Sequence, residues 1–313
     1  VIIHTKAHAR AGLLGNPSDG FYGKTISFII RNFAARVTLY ESPGLEIHHE
    51  SAEDRSQFRS IDDLVQQVNL YGYYGGIRLI KAAIKKFTET VAARGLALPR
   101  RNFTIRYRSN IPRLVGMGGS SAIVTATIRA LMKFYEIDIP QTDVPSIVLA
   151  AEAEELEIPA GLQDRVIQTY EGLVYMDFAQ RHLEEHGHGL YEPLPKGQLQ
   201  NIFVAYRAEL AEGSEVVHSA LRTRFLRKER TVVQAMKTWA GYAEQGREAL
   251  EAGDLKELSL LIDANFDLRH AICSLNPRQV EMVEAARSFG GACKFAGSGG
   301  TVVGVYHTEK QYR

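Results

Sequence analysis

Cysteine is scarce: only Cys273 and Cys293 occur in 313 residues. That excludes a disulfide framework and leaves too few thiols for a zinc site built from cysteines alone. A reducing, cytoplasmic setting is expected. No run approaches the roughly 18 consecutive apolar residues that a membrane-spanning helix requires, and Val1 to Gly15 lacks the charge-then-apolar layout of a secretory leader. An excess of one charge is missing as well, since 37 basic residues face 36 acidic ones for a net charge of +1. No global field then draws the chain to nucleic acid or an anionic membrane, and neither is expected as a partner. Any anion binding has to be local. Repeats and low-complexity tracts are also absent.

What is present is the composition of a globular protein, 45% hydrophobic and 23% charged, long enough to divide into two domains. Strand patterns occur at Thr25–Ile30, Val37–Glu41 and Phe103–Arg108, the last alternating apolar Phe103, Ile105 and Tyr107 with Thr104, Arg106 and Arg108. Ile77–Ala93 has helical spacing with Lys81, Lys85 and Lys86 on a solvated edge. Residues 121–135 place Val124, Ile128, Leu131 and Tyr135 on one helical face. Helices are also expected at Ile147–Leu156 and Asp164–Tyr170. From Leu183 to Gln198 the composition shifts to His, Gly, Glu and Pro, so a domain boundary is expected near 190, dividing 1–190 from 191–313. Beyond it come strands at Ile202–Tyr206 and Thr301–Tyr306 and helical stretches over 214–272 and 277–288.

The segment Ile111–Ala122 (IPRLVGMGGSSA) leads a strand through three glycines and two hydroxyls into a long helix. Glycine lets backbone approach a phosphate closely, the first helical N–H groups have no intrahelical partner, and the helix dipole adds positive potential. Taken alone, the segment fits equally a Gly-rich turn with a serine N-cap. It is not a conventional P-loop: Gly23-Lys24-Thr25 has the right ending, but Ser18 stands where the first glycine belongs.

Pro112, three residues, then Gly-apolar-Gly-small-Ser resembles the ATP-binding motif of the GHMP kinases. Two more blocks match in order: Ala7–Asp19 (AHARAGLLGNPSD) is similar to that family's first motif and Lys294–Gly300 (KFAGSGG) to its third. Residues 12–19, 72–76, 119–124 and 160–166 resemble the glucuronokinases within it. The resemblance implies an α+β, two-domain GHMP kinase fold, with a ribosomal S5-like N-terminal ATP-binding domain and a ferredoxin-like C-terminal domain. It further implies ATP and Mg2+ as cofactors, a small-molecule sugar as acceptor, and phosphorylation of D-glucuronate at its anomeric hydroxyl. A galactose-, galacturonate- or heptose-type kinase and a non-catalytic sugar sensor remain the alternatives.

The resemblance also implies site residues. Asp164 matches the aspartate that orients or deprotonates the acceptor hydroxyl, and Arg10 the basic residue beside it. Outside the family context, Asp164 would be a helix N-cap and Arg10 a surface ion-pair residue. Gly116, Gly118, Gly119, Ser120, Ser121 and Ala122 would cradle the nucleotide, with Gly299 closing over it from the second domain. Ser120 aligns with the magnesium-binding serine, Ser121 being the alternative. The acidic magnesium ligand would be Glu152, with Glu154 and Glu155 as neighbours. Asp19 matches a sugar-binding aspartate of galactokinases, whereas Asn16 and Pro17 replace the acidic and His positions beside it. An amide at 16 would relieve repulsion with a sugar that itself carries a carboxylate. Tyr73 and Tyr74 could face the sugar or simply pack. Arg78, Arg113, Arg165 and Arg269 all stay open as readers of that carboxylate. His182, His186 and His188 approach metal-ligand spacing, but the glycines around them point to a polar connection instead. Trp239 reads as core.

Overall fold

One long strand organises the first sheet. The computed structural model describes residues 1–49, 76–210 and 215–313. In it β1 (Ile2–Leu14) runs antiparallel to β2 (Lys24–Glu41). The two strand patterns at Thr25–Ile30 and Val37–Glu41 are halves of β2: residues 31–33 form a bulge where the register shifts between His8 and Ala9, bending the strand without ending it. β3 (Glu46–His49) lies parallel to β4 (Phe103–Ser109). β4 pairs with one half of β2, β5 (Leu173–Asp177) with the other, and β6 (Leu190–Leu194) with β5, all antiparallel. The order is β3-β4-β2-β5-β6, with β1 also on β2.

Helices α1 (Gly76–Ala93) and α2 (Gly119–Tyr135) pack on this sheet, and α3 (Val144–Ala153) packs against those two helices. The alternation of β4 holds except at Thr104, which is buried with its hydroxyl on Ser42: Phe103, Ile105 and Tyr107 are buried against Phe87, Val124, Ile128 and Leu131, while Arg106 and Arg108 face solvent. Each fully buried aliphatic or aromatic side chain of this kind stabilises by about 1.5–3 kcal/mol relative to exposure. α4 (Gln163–Tyr170) follows, and the polar stretch expected to be a linker is instead α5 (Gln180–His186), closed by Gly187 in a left-handed conformation, and then β6. The weak apolar signal of β6, in which only Leu194 is buried and Tyr191 half-buried, hid a strand that belongs to the first sheet.

The C-terminal part contains β7 (Ile202–Tyr206), α6 (Glu215–Leu226), α7 (Arg230–Ala252), α8 (Leu255–Ile272), α9 (Pro277–Ser288), β8 (Ala292–Phe295), β9 (Thr301–Val305) and α10 (Glu309–Tyr312). Its antiparallel sheet has the order β7-β9-β8. Gly253 in a left-handed conformation ends α7, and the Asp254 carboxylate accepts from Glu257 N–H to start α8. The two parts share a core in which Ala11, Leu13 and Ile26 meet Ala243, Ile262 and Val303. Gly246 makes that approach possible, since a Cβ there would stand 2.1 Å from Leu14 Cδ1. Trp239 is fully buried and its indole N–H donates to the Asn265 carbonyl. Among the described residues no helix is long and apolar enough to cross a membrane.

Candidate active site

The Gly-Ser segment is a loop that ends at the N-terminus of α2. Gly116 and Gly118 have φ of 74° and 71°, which L side chains adopt only with strain. Gly118 is the N-cap of α2 and there is no side-chain cap. Ser121 instead donates its hydroxyl to the Gly118 carbonyl from a fully buried position, whereas Ser120 is partly exposed in the first turn. Gly119, Ser120 and Ser121 thus form a helix start whose N–H groups no side chain among the described residues satisfies, the arrangement that favours an anion, while the buried Ala122 closes the first turn with its N–H on the Gly118 carbonyl. The serine-cap alternative is not what the chain adopts.

Arg10 and Asp164 meet directly beneath this loop. Arg10, on β1, donates from Nε to Asp164 Oδ1 at 2.6 Å and from Nη2 to Oδ2 at 2.8 Å, a bidentate pair that is largely buried. Its Nη1 donates to the carbonyls of Gly116 and Ala296. A Cβ on Gly118 would stand 3.2 Å from Asp164 Oδ2 and 3.3 Å from Arg10 Cγ, so the glycine lets the loop rest on the pair. Asp164 does not cap its own helix, where Leu162 is the N-cap without a side-chain bond. Gln168, one turn further along α4, donates to the Gly118 carbonyl at 2.7 Å.

Asp19 and Glu152 flank Asp164 on α4. Asp19 Oδ2 accepts from Gln163 N–H at 3.3 Å, and a Cβ on Gly161 would stand 2.0 Å from the same oxygen. Burial and then the Asp164 carboxylate push Asp19 up to about 6, although its side chain keeps partial exposure. Glu152, on the last turn of α3, is fully buried. Its Oε2 accepts from Arg165 Nε at 2.8 Å and also from Nη2, and Arg165 Nη1 lies 3.8 Å from Asp164 Oδ2. Oε1 is sealed from solvent and has no hydrogen-bond partner among the described residues. Glu154 and Glu155 turn outward to Lys86 and Lys85.

The third block seals the site from the C-terminal part. Gly12 N–H donates to the Ala296 carbonyl at 2.8 Å and the Thr301 hydroxyl to the Val115 carbonyl at 2.7 Å. A Cβ on Gly116 would stand 2.9 Å from the Gly299 carbonyl oxygen, so the Gly297–Gly300 turn lies against the Gly-Ser loop. Arg269 holds this turn by donating to the Gly297 and Ser298 carbonyls at 2.7 and 2.9 Å. Lys294 is buried and donates to Gly12 O at 2.8 Å, Asn16 Oδ1 at 2.6 Å and Phe295 O at 2.9 Å. Burial first, then Arg269 and Arg10, hold its pKa well below the ordinary lysine range. Asn265, on α8, fixes the loop that carries Asn16, accepting from Gly15 N–H and donating to the Asn16 carbonyl.

Arg10, Asp164, Asp19, Asn16, Gly116, Gly118 and Gly299 are therefore linked through one continuous contact network, with Glu152 joined to it by Arg165. Tyr73 and Tyr74 lie outside the described residues. His182, His186 and His188 group their rings on and just after α5, yet no metal-binding cluster of three His, Cys, Asp or Glu exists among the described residues. Gln163, Gln168, Asn265 and Lys294 received no role from the sequence. Lys294 carried a usable signal, being a charge in a short strand next to a Gly-rich turn; the amides resemble any surface amide in sequence.

Three ordered glycine-bearing blocks closing on a buried Arg–Asp pair define a phosphotransferase site, and the chain belongs to the GHMP kinases. The model of the GHMP kinases N terminal domain matches residues 78–172 and that of the GHMP kinases C terminal region residues 247–312. The α+β, two-part architecture that the motifs implied is the one observed, and membership makes the chain an ATP-using kinase. It is 43% identical over 306 residues to Glucuronokinase 1 of Arabidopsis thaliana, covering 96% of this chain and 84% of that one. Probable glucuronokinase 2 of the same plant is 42% identical over 308 residues, with the same coverage of 96% and 84%. In structure, the chain matches Streptococcus pneumoniae phosphomevalonate kinase in complex with phosphomevalonate and AMPPNP at a TM-score of 0.76, with 16% identity and coverage of 99% and 94%.

Proposed function

We propose that this chain transfers the γ-phosphoryl group of ATP to the anomeric hydroxyl of D-glucuronate, releasing ADP and D-glucuronate 1-phosphate. The observation that carries this is the Arg10–Asp164 pair seated under Gly118, in a chain 43% identical across 96% of its length to a glucuronokinase. Gly116, Gly118, Gly119, Ser120, Ser121 and Ala122 cradle the phosphates through backbone N–H groups, and Gly299 closes the cradle. Asp164 accepts the hydroxyl proton. A carboxylate has an ordinary pKa of about 3.9, so the proton moves as the sugar-oxygen–phosphorus bond forms rather than beforehand. The bond from phosphorus to the bridging oxygen of ADP breaks in the same event, and ADP leaves with the electron pair. Arg10 orients Asp164 and offsets negative charge that develops on the phosphoryl oxygens.

Magnesium fits the residues present. Glu152 Oε1 is a buried carboxylate oxygen with no partner among the described residues, and Ser120 offers a hydroxyl at the phosphate end of α2. These two would hold the ion, which prefers few protein ligands plus phosphate and water. When bound, it neutralises phosphate charge. Asp19 and Asn16, with Tyr74, contact the sugar. In organisation, a nucleotide-binding unit runs through β6 and a second unit from β7 onward. The free thiols Cys273 and Cys293 suit a reducing compartment such as the cytoplasm.

A coupled ADP-release assay with glucuronate, galacturonate, galactose, a heptose and mevalonate tests the proposal, with the product identified by phosphorus NMR. Glucuronate should give the highest kcat/KM and an anomeric phosphate. Preferential turnover of galactose would overturn the substrate, and sugar binding without turnover of any acceptor would make the chain a sensor.

A further inference from the structure

Seven charged side chains surround the proposed sugar site, and their pairing is uneven. Arg10 is matched by Asp164 and Arg165 by Glu152. Lys294 and Arg269 are both buried and, among the described residues, bond only neutral acceptors: carbonyls for Arg269, and two carbonyls plus the Asn16 amide oxygen for Lys294. No carboxylate is among the groups that shift either one. A buried cation without a counter-charge is destabilising unless a ligand supplies the anion.

Lys294 cannot take that anion itself, because its three N–H donors are already used. It acts through Asn16. An ammonium carries donors only, so the amide oxygen must face it and Nδ2 must point away. Nδ2 has no hydrogen-bond partner among the described residues and is not sealed from solvent, although Asn16 as a whole is 4% exposed. The amide borders Gly12, whose added Cβ would stand 3.2 Å from Asn16 Cγ and 3.1 Å from Gln163 Nε2, beside the N–H that Asp19 accepts.

We propose that Asn16 and Lys294 together read the carboxylate of the sugar acid: Asn16 donates to it from Nδ2, and Lys294 fixes the amide and supplies the buried charge that the carboxylate neutralises. This rests on the glucuronate reading and adds its basis. None of the four arginines open from sequence is needed as the direct contact; Arg165 is committed to Glu152 and Arg269 to the Gly297–Ser298 turn. A neutral sugar leaves Lys294 uncompensated. An acid at position 16 would pair with Lys294 and repel a uronate.

The test compares wild type, Asn16→Asp and Lys294→Met with glucuronate and with glucose, the same ring bearing a hydroxymethyl group. KM and kcat are measured at saturating ATP, with the competitive inhibition constant replacing KM for a sugar that is not turned over. Both variants should weaken glucuronate by on the order of 100-fold, mainly in KM, while glucose and the KM for ATP move by less than about threefold. Equal losses on both sugars, or none, would overturn the inference. So would a rise confined to the KM for ATP, which assigns the charge to the nucleotide. If Lys294→Met does not fold, Asn16→Asp decides, since its new carboxylate gains an ion pair with Lys294. A wild type that does not prefer glucuronate brings down the substrate reading and this inference together. A wild type that does, with variants that keep its preference, brings down only the inference.

Discussion

Glu152 and the pair Glu154 and Glu155 lie within four positions of sequence and end in unlike places. Glu152 is fully buried on the inner face of α3, bonded by Arg165 and one residue removed from Asp164. Glu154 and Glu155 come just after α3 and join Lys85, Lys86 and Glu89 of α1 in an ion-pair cluster at the surface. The helix ends at Ala153, so Glu154 and Glu155 leave the face that Glu152 occupies and reach the surface. Charge that is buried, paired and leaves one oxygen unsatisfied can do chemistry. Charge that meets its partner in water chiefly fixes how α1 lies against the end of α3. Lys85 and Lys86 are thus not merely solubilising, as their spacing had suggested.

The strongest way to break this contrast is at the centre of the buried cluster. Asp164→Asn should lower kcat by about 10²–10⁴-fold with ATP affinity nearly unchanged, since it removes the proton acceptor and not the cradle; a variant retaining a tenth of wild-type kcat would remove Asp164 from the reaction. Arg10→Met leaves Asp164 without its bidentate partner, and breaking a buried pair in this way costs about 3–5 kcal/mol. Chemical denaturation should register that loss together with a fall in kcat of about 10²-fold. Glu152→Gln keeps the shape but not the charge, and the magnesium concentration for half-maximal rate should rise on the order of 10-fold. An unchanged magnesium dependence would make Glu152 a partner of Arg165 only.

Asp19 sharpens the comparison through pH. Its folded pKa, raised to about 6 by burial and by Asp164, exceeds the unfolded value, so the native state binds the extra proton between about pH 4 and 6. Asp19 therefore contributes relative stability at the acid end of that window, and the contribution is lost as pH rises through 6. Against Asp19→Asn, wild type should lose about 2 kcal/mol of unfolding free energy over that range. A flat difference would show that Asp19 titrates normally. The smallest effect belongs to the surface cluster: Lys86→Ala should move the melting temperature by less than about 3 °C and leave kcat and both KM values unaltered.

Much of the site was legible because backbone chemistry demands it. A loop that must approach a phosphate needs glycine at Gly116 and Gly118, and an N-terminal helix turn needs no side chain to attract an anion, so both leave a trace in one stretch of sequence. Arg10 and Asp164 were legible through their place beside motif glycines. Lys294, Asn265, Gln163 and Gln168 were not, because an amide or a lysine acquires a role only from the groups that surround it, and these come from β1, the loop after it, the Gly-Ser loop and β8. The strand at Leu190–Leu194 was missed for a similar reason: Tyr191 and Leu194 suffice to seat a strand whose ladder is supplied by β5.

The sequence by itself determined which chemistry the chain can perform: three ordered glycine blocks, a basic residue in the first and an acid after Gly161, in a chain with no net field and too few cysteines for other solutions. Tertiary structure decided the distribution of charge among those parts. Burial set Glu152 apart from Glu154 and Glu155, turned Ser121 inward and left Ser120 partly exposed. It also stranded Lys294 among neutral acceptors behind Asn16. Solvation free energy depends on what encloses a group, and only the folded chain sets that enclosure.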